Sequence, residues 1–182
     1  MGPLTFAVFV VGVSLAASAN PWWSLYRNAF SDLGGPRASR PWIFNWTLIL
    51  SGILFAIYSL GVLLNSRSHL DSFSAGLLFT AGIFLTLIGV YPSGTRPHTF
   101  VSTWFYIQSY LGISTLGLSK ILQERKVLGL TLLLLGALPI PLAYLIDRTV
   151  GWPSIALLEL AGALFILASS IVYMLTVRYP SR

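Results

Sequence analysis

Five carboxylates, two histidines and no cysteine are the acid–base and metal-binding stock of this 182-residue chain. Asp32, His98, Asp147 and Glu159 all fall in or beside connections that share one side of the helical scheme set out below. Asp32 and His98 are of the types that serve as general acid and base, so an acid–base pair is one reading. Ser31 or Ser93 could act as a nucleophile with His98 as its base, although no strand–turn–helix elbow surrounds either serine. Zinc needs three or four ligands. His69 and His98 lie toward opposite faces, and nothing in the spacing of His98, Asp32, Asp147 and Glu159 forces them together, so no metal is expected. The absence of cysteine removes thiolate catalysis and sulfur ligation. No Gly-Lys phosphate loop or dinucleotide fingerprint is present, and no cofactor is expected.

Glu159 is the sharpest single signal. It stands alone in an otherwise uncharged apolar run over 154–177. An ionisable group within a membrane span costs ~2.5 kcal/mol or more, and it is held by a partner or a wet cavity. Arg148, His98 or a loop arginine could be that partner; a structural hydrogen bond from a neighbouring helix is the plain alternative. His98 opens a second polar feature. Thr99, Ser102, Thr103, Tyr106, Ser109 and Tyr110 follow it at helical spacing, and such a stripe should face the interior. The densest polar cluster is Arg27-Asn28-Ala29-Phe30-Ser31-Asp32-Leu33-Gly34-Gly35-Pro36, where Ser31 or Asp32 can cap a short helix. Together these place candidate ligand-binding groups at Arg27, Ser31, Asp32, Asn45, Arg96, His98, Asp147, Arg148 and Glu159. The candidates for catalysis are Asp32, His98 and Glu159.

The elements that must position these groups are apolar. Hydrophobic residues make up 55 % of the chain and charged residues 9 %, with a mean hydropathy of +0.80. A soluble domain carries about 25 % charged residues. The chain therefore reads as an all-α, polytopic integral membrane protein in one domain, 1–182. Six apolar stretches, 3–19, 42–64, 72–91, 99–119, 127–146 and 154–177, each approach the ~20 residues needed to cross the hydrocarbon as a helix. Ala17-Ser18-Ala19 resembles a signal-peptidase site, but no Lys or Arg precedes the run, which favours a retained first helix. Pro139 and Pro141 should kink the fifth helix. Gly52, Ala56 and Ser59 follow Asn45 on one face of the second, a surface for close helix packing.

Six helices put both termini on one side. Trp22, Trp23, Trp42, Trp46, Trp104 and Trp152 then all fall on the other, as an interfacial aromatic belt. The terminal side carries Arg67, Lys120, Arg125, Lys126, Arg178 and Arg182; the aromatic side carries Arg27, Arg37, Arg40, Arg96 and Arg148. The charge rule is nearly balanced, and the two lysines tip the termini toward the cytoplasm, with the chain in the cell membrane. The net charge of +6 sits at helix ends and in loops, where lipid headgroups are the nearer partner; nucleic acid is not expected.

Ser31-Asp32-Leu33-Gly34, then Pro41-Trp42-Ile43-Phe44-Asn45 with Gly52 behind it, then Tyr91-Pro92 and His98 are similar to a prokaryotic, largely archaeal membrane family of unknown function, domain of unknown function 998. That family in turn resembles the eukaryotic Frag/DRAM/Sfk membrane proteins, which share a Ser-Asp-x-Gly loop. The resemblance covers nearly the whole chain. It implies six helices and singles out Ser31, Asp32, Gly34, Asn45, Pro92 and His98, but it supplies no activity. Thr99 stands where members of the family often carry a second histidine, which weakens a metal reading.

Three functions compete on these grounds. One is a binding protein with an outward-facing polar pocket that handles a lipid or anionic headgroup without catalysis. Another is a small accessory subunit packed against other membrane protein subunits. The third is an intramembrane hydrolase using Asp32 and His98. A transporter is disfavoured by the lack of repeats and of multiple buried charges. The balance leans away from an enzyme.

Overall fold

Seven helices and one short 3₁₀ turn make up the computed structural model, which describes the backbone of residues 2–178 and the side chains of residues 2–175. In chain order they are α1 (Gly2–Ser18), the turn Phe30–Gly34, α2 (Pro41–Leu64), α3 (His69–Val90), α4 (His98–Leu122), α5 (Lys126–Ala137), α6 (Pro139–Thr149) and α7 (Ile155–Arg178). Arg182, counted in the charge balance above, lies outside the described residues, and so does the side chain of Arg178.

The chain is wholly helical among the described residues, as its continuous apolar runs dictate. The single helix expected over 127–146 is instead two. The break falls at Leu138, and α5 and α6 meet at a bend of 43°. Pro139 and Pro141 are the cause: each lacks an amide hydrogen and crowds the preceding turn. Two other helices run further into polar sequence than their apolar stretches. Ser68 caps α3, its Oγ accepting from the Asp71 amide at 3.1 Å, so the helix begins before Asp71. Likewise α4 continues through Lys120 to Leu122.

Helices α2, α3 and α7 are long and apolar enough to cross a membrane, and α5 with α6 would make a fourth crossing as one bent span. With 17 residues, α1 is shorter, and the polar stripe of α4 lowers its hydropathy. Each helix from α1 to α5 packs on the next, and α7 closes the ring against α5, α1 and α4. Small residues set the closest approaches. A Cβ on Gly82 of α3 would sit 2.8 Å from the Ala56 amide nitrogen of α2, and one on Gly129 of α5 would sit 2.5 Å from the Ile121 amide nitrogen of α4. Without a hydrophobic force between helices in lipid, such backbone-to-backbone contact is what holds neighbours together.

The 20–40 connection lies across one end of the ring. Asn20, 1 % exposed, staples its beginning to its end: Nδ2 donates to the Ala16 carbonyl at 2.9 Å, and Oδ1 accepts from the Ser39 amide at 2.8 Å and Trp22 Nε1 at 3.1 Å. Its middle is tied to the start of α7, where Ser154 Oγ donates to the Leu25 carbonyl at 2.6 Å and the Ala156 amide to the Asn28 carbonyl at 2.9 Å. Gly35 packs beside Ser93 of the α3–α4 turn. Three connections therefore meet at one end of the bundle.

Candidate functional site

Beneath that end lies a cavity of about 100 Å³ between α1, α2, α4 and α7. Its wall is mostly aromatic and aliphatic: Phe6 and Phe9 from α1, Phe44 and Phe55 from α2, Phe105 from α4 and Ile166 from α7. Polar groups gather at the loop end, where Ser31, His98, Ser102 and Glu159 line it. At ~1.5 Å of rise per residue, Glu159 and the other lining residue Ser170 stand ~16 Å apart along α7. The space is long and narrow.

Glu159 is the hinge between helix and loop. Its Oε2 accepts from the Phe30 amide at 2.9 Å, holding the first residue of the 3₁₀ turn over the cavity. Among the described residues no hydrogen bond occupies its Oε1. Its backbone carbonyl accepts from Tyr106 Oη at 3.0 Å, which fixes α7 against α4 at the same level. Asp32, two residues past Phe30 in the same turn, points into its own loop: Oδ2 accepts from the Ala29 amide at 2.9 Å and so caps the 3₁₀ turn. The turn is further pinned by Phe30, which stacks on Trp23 and meets Phe9 edge-on.

His98 Nδ1 lies 2.8 Å from the Tyr91 carbonyl oxygen. A carbonyl can only accept, so Nδ1 carries the hydrogen; in the tautomer with that single hydrogen, Nε2 is an acceptor. Of the stripe that follows it on α4, Ser102 and Tyr106 line the cavity, Ser109 and Tyr110 are buried, and Thr99 and Thr103 are exposed. Asn45 reaches the 3₁₀ turn from α2, its Nδ2 donating to the Gly34 carbonyl at 3.3 Å. Gly34 packs so closely on Asn45 that a Cβ would collide with it.

The structure brings Ser31, His98 and Glu159 to one cavity and sets Asp32 and Asn45 behind them. It does not bring in the rest. Arg27 and Arg96 are exposed, and Asp147 and Arg148 lie on the outer face of α6, where the Arg148 guanidinium sits 5.3 Å over the Tyr144 ring. Among the described residues no Lys or Arg lines the cavity. Among the tryptophans, Trp22, Trp42, Trp46 and Trp104 are exposed, with Arg37 lying 5.0 Å over Trp22. Trp23 and Trp152 are half-buried and donate to the carbonyls of Ala29 and Ala143. Among the described residues, no group of three or more His, Asp or Glu side chains could hold a metal.

One polar centre has no counterpart in the sequence reading. At the opposite end of the bundle, Lys120 Nζ of α4 lies 2.8 Å from both carboxylate oxygens of Asp71 on α3, with both residues under 5 % exposed. Ser119 Oγ, Gln123 Nε2 and the Arg67 amide also donate to Asp71. Its signal in the sequence was Asp71 and Lys120, each at the end of an apolar run where a helix can extend past the hydrophobic core.

No curated protein and no solved structure matches this chain. The model of one family matches residues 3–176, almost end to end, and by that match the chain belongs to the family described as protein of unknown function (DUF998).

Proposed function

We propose that this is a six-span protein of the cell membrane that binds an amphiphilic lipid by its hydrocarbon chain, inside the bundle, without catalysis. In this reading α5 and α6 form one bent span, α1 and α4 also cross, both termini face the cytoplasm, and the 20–40 loop covers the outer end. The observation that carries it is the shape and chemistry of the cavity: a narrow apolar tube with Ser31, His98, Ser102 and Glu159 at one end. At about 100 Å³ the cavity is smaller than a ~150 Å³ apolar cavity that accepts benzene, so a chain occupies it only as the lining side chains move apart. The likeness of the Ser31–Gly34 loop to that of the Frag/DRAM/Sfk proteins points toward lipids by analogy alone.

The reading is tested with dodecyl photoprobes carrying a diazirine at the chain end, in nanodiscs of phosphatidylcholine. Cross-links should map to Phe55, Phe105 or Ile166, and Ala163→Trp, which fills the tube, should abolish them. Cross-links confined to exposed residues such as Leu50 and Ile57, unchanged in Ala163→Trp, would refute it.

A further inference from the structure

Resting on that chain-binding reading, we infer that the headgroup seated at Glu159 and His98 is a hydrogen-bond donor, an alcohol or a protonated amine, and not a carboxylate or phosphate. The argument begins with what the bilayer already offers. Lipid tails surround the bundle and are as apolar as its Phe-lined tube, so a chain gains little by moving from one to the other. Discrimination must come from the polar end. Two groups there have fixed roles. Glu159 Oε2 is taken by the Phe30 amide, and Oε1 accepts from no neighbour. His98 gives its Nδ1 hydrogen to the Tyr91 carbonyl, so in the singly protonated ring Nε2 is an acceptor. The Ser102 hydroxyl is spent on the carbonyls of His98 and Thr99. Only the Ser31 hydroxyl at this end can still donate, so the balance of the site favours a head that brings hydrogens.

Charge gives the same answer. Among the described residues Glu159 is the one carboxylate on the cavity wall, and neither Lys nor Arg lines it. The arginines on the same side, Arg27, Arg96 and Arg148, are exposed. With Glu159 ionised, an anionic head would set two negative charges together away from water with no cation between them, an arrangement that low-dielectric surroundings penalise strongly. An ammonium head would supply the missing counter-charge, and a hydroxyl would supply the hydrogen alone.

Three photoprobes with the same dodecyl chain and terminal diazirine, differing only in a hydroxyl, ammonium or carboxylate head, decide the matter when compared at equal mole fraction in the bilayer. We expect the alcohol or the amine, or both, to label the cavity residues at least tenfold more than the carboxylate. Labelling led by the amine identifies an ammonium, and labelling led by the alcohol a hydroxyl; both support the inference. Carboxylate labelling equal to or above the other two overturns it and leaves the chain-binding reading standing. No cavity labelling with any probe overturns the chain-binding reading itself. Glu159→Gln, whose amide both donates and accepts, should keep the labelling and narrow the preference to under threefold. A preference that stays tenfold in this variant removes Glu159 from the site. The ranking on the unmodified protein needs no variant and stands even where Glu159→Gln does not fold.

Discussion

Replacing Lys120 by methionine removes the cation from the buried pair with Asp71 while keeping the length of the side chain. Breaking a buried ion pair by deleting one partner costs ~3–5 kcal/mol, because the other charge stays behind unpaired. The geometry selects the lower end of that range. Without Lys120, Asp71 keeps three neutral donors: the Arg67 amide at 2.9 Å, Ser119 Oγ at 2.7 Å and Gln123 Nε2 at 3.1 Å. We therefore expect Lys120→Met to destabilise by ~3 kcal/mol, a loss of roughly a hundredfold in the folding equilibrium at 1.4 kcal/mol per factor of ten. Adding Asp71→Asn removes the stranded charge and should restore much of the loss, leaving the double variant within ~1 kcal/mol of the parent, since neutralising both members of a buried pair is often nearly neutral. Equilibrium unfolding in mixed micelles, followed by tryptophan fluorescence, measures all three proteins. A cost under ~1 kcal/mol for Lys120→Met, or a double variant no more stable than the single one, would show that the pair is not the fastener between α3 and α4 that its geometry describes.

Gly82→Val puts side-chain atoms where the α2 backbone now lies, so it should lower thermal stability in detergent more than Gly76→Val, whose added Cβ meets nothing; equal losses would contradict the close approach of α2 and α3. Cysteines at Ser66 and Ser93 should react with an impermeant thiol reagent from opposite sides of oriented vesicles, and labelling from one side would end the six-span proposal. The exposed Trp22, Trp42, Trp46 and Trp104 should be quenched by a quencher near the headgroups more than by one at mid-chain, as interfacial indoles are; the reverse order would place those rings in the hydrocarbon.

The apolar runs made most of the fold legible. The run over 42–64 became Pro41–Leu64, and the run over 3–19 became Gly2–Ser18. Hydropathy marks the segment that cannot tolerate water, which is why the middles of the helices were clear and the ends were not. A helix continues into polar sequence wherever its last turn is capped or paired, and hydropathy is blind to that. The consequence was large at one place. Trimming α3 at residue 72 and α4 at residue 119 left Asp71 and Lys120 outside the helices, so the buried ion pair between them went unread. Pro139 and Pro141 gave the bend of α5 and α6 correctly in kind, but a count of apolar residues could not say that the run would divide into two helices.

Legibility of the candidate site was uneven for a related reason. Glu159 stood out because a lone acid in an apolar run needs a partner, and the partner is a backbone amide, Phe30, which no side-chain inventory reveals. His98 stood out by its place at the head of a polar stripe. Arg27, Arg96, Asp147 and Arg148 were grouped with them because they share a side of the membrane scheme. Sharing a side fixes only the depth of a residue; which way it faces depends on helix rotation and loop path, and those are set by packing such as Gly34 on Asn45. Asn20, which closes the long loop upon itself, has no charge or motif to mark it.

The most direct test of the central account is native mass spectrometry of the protein released from mild detergent. The account predicts one retained amphiphile per chain, lost in Ala163→Trp while the variant keeps its helical circular dichroism. A protein that carries no bound amphiphile, or that carries the same one after the tube is filled, would contradict it; stoichiometric release with a second protein would instead favour the accessory-subunit reading.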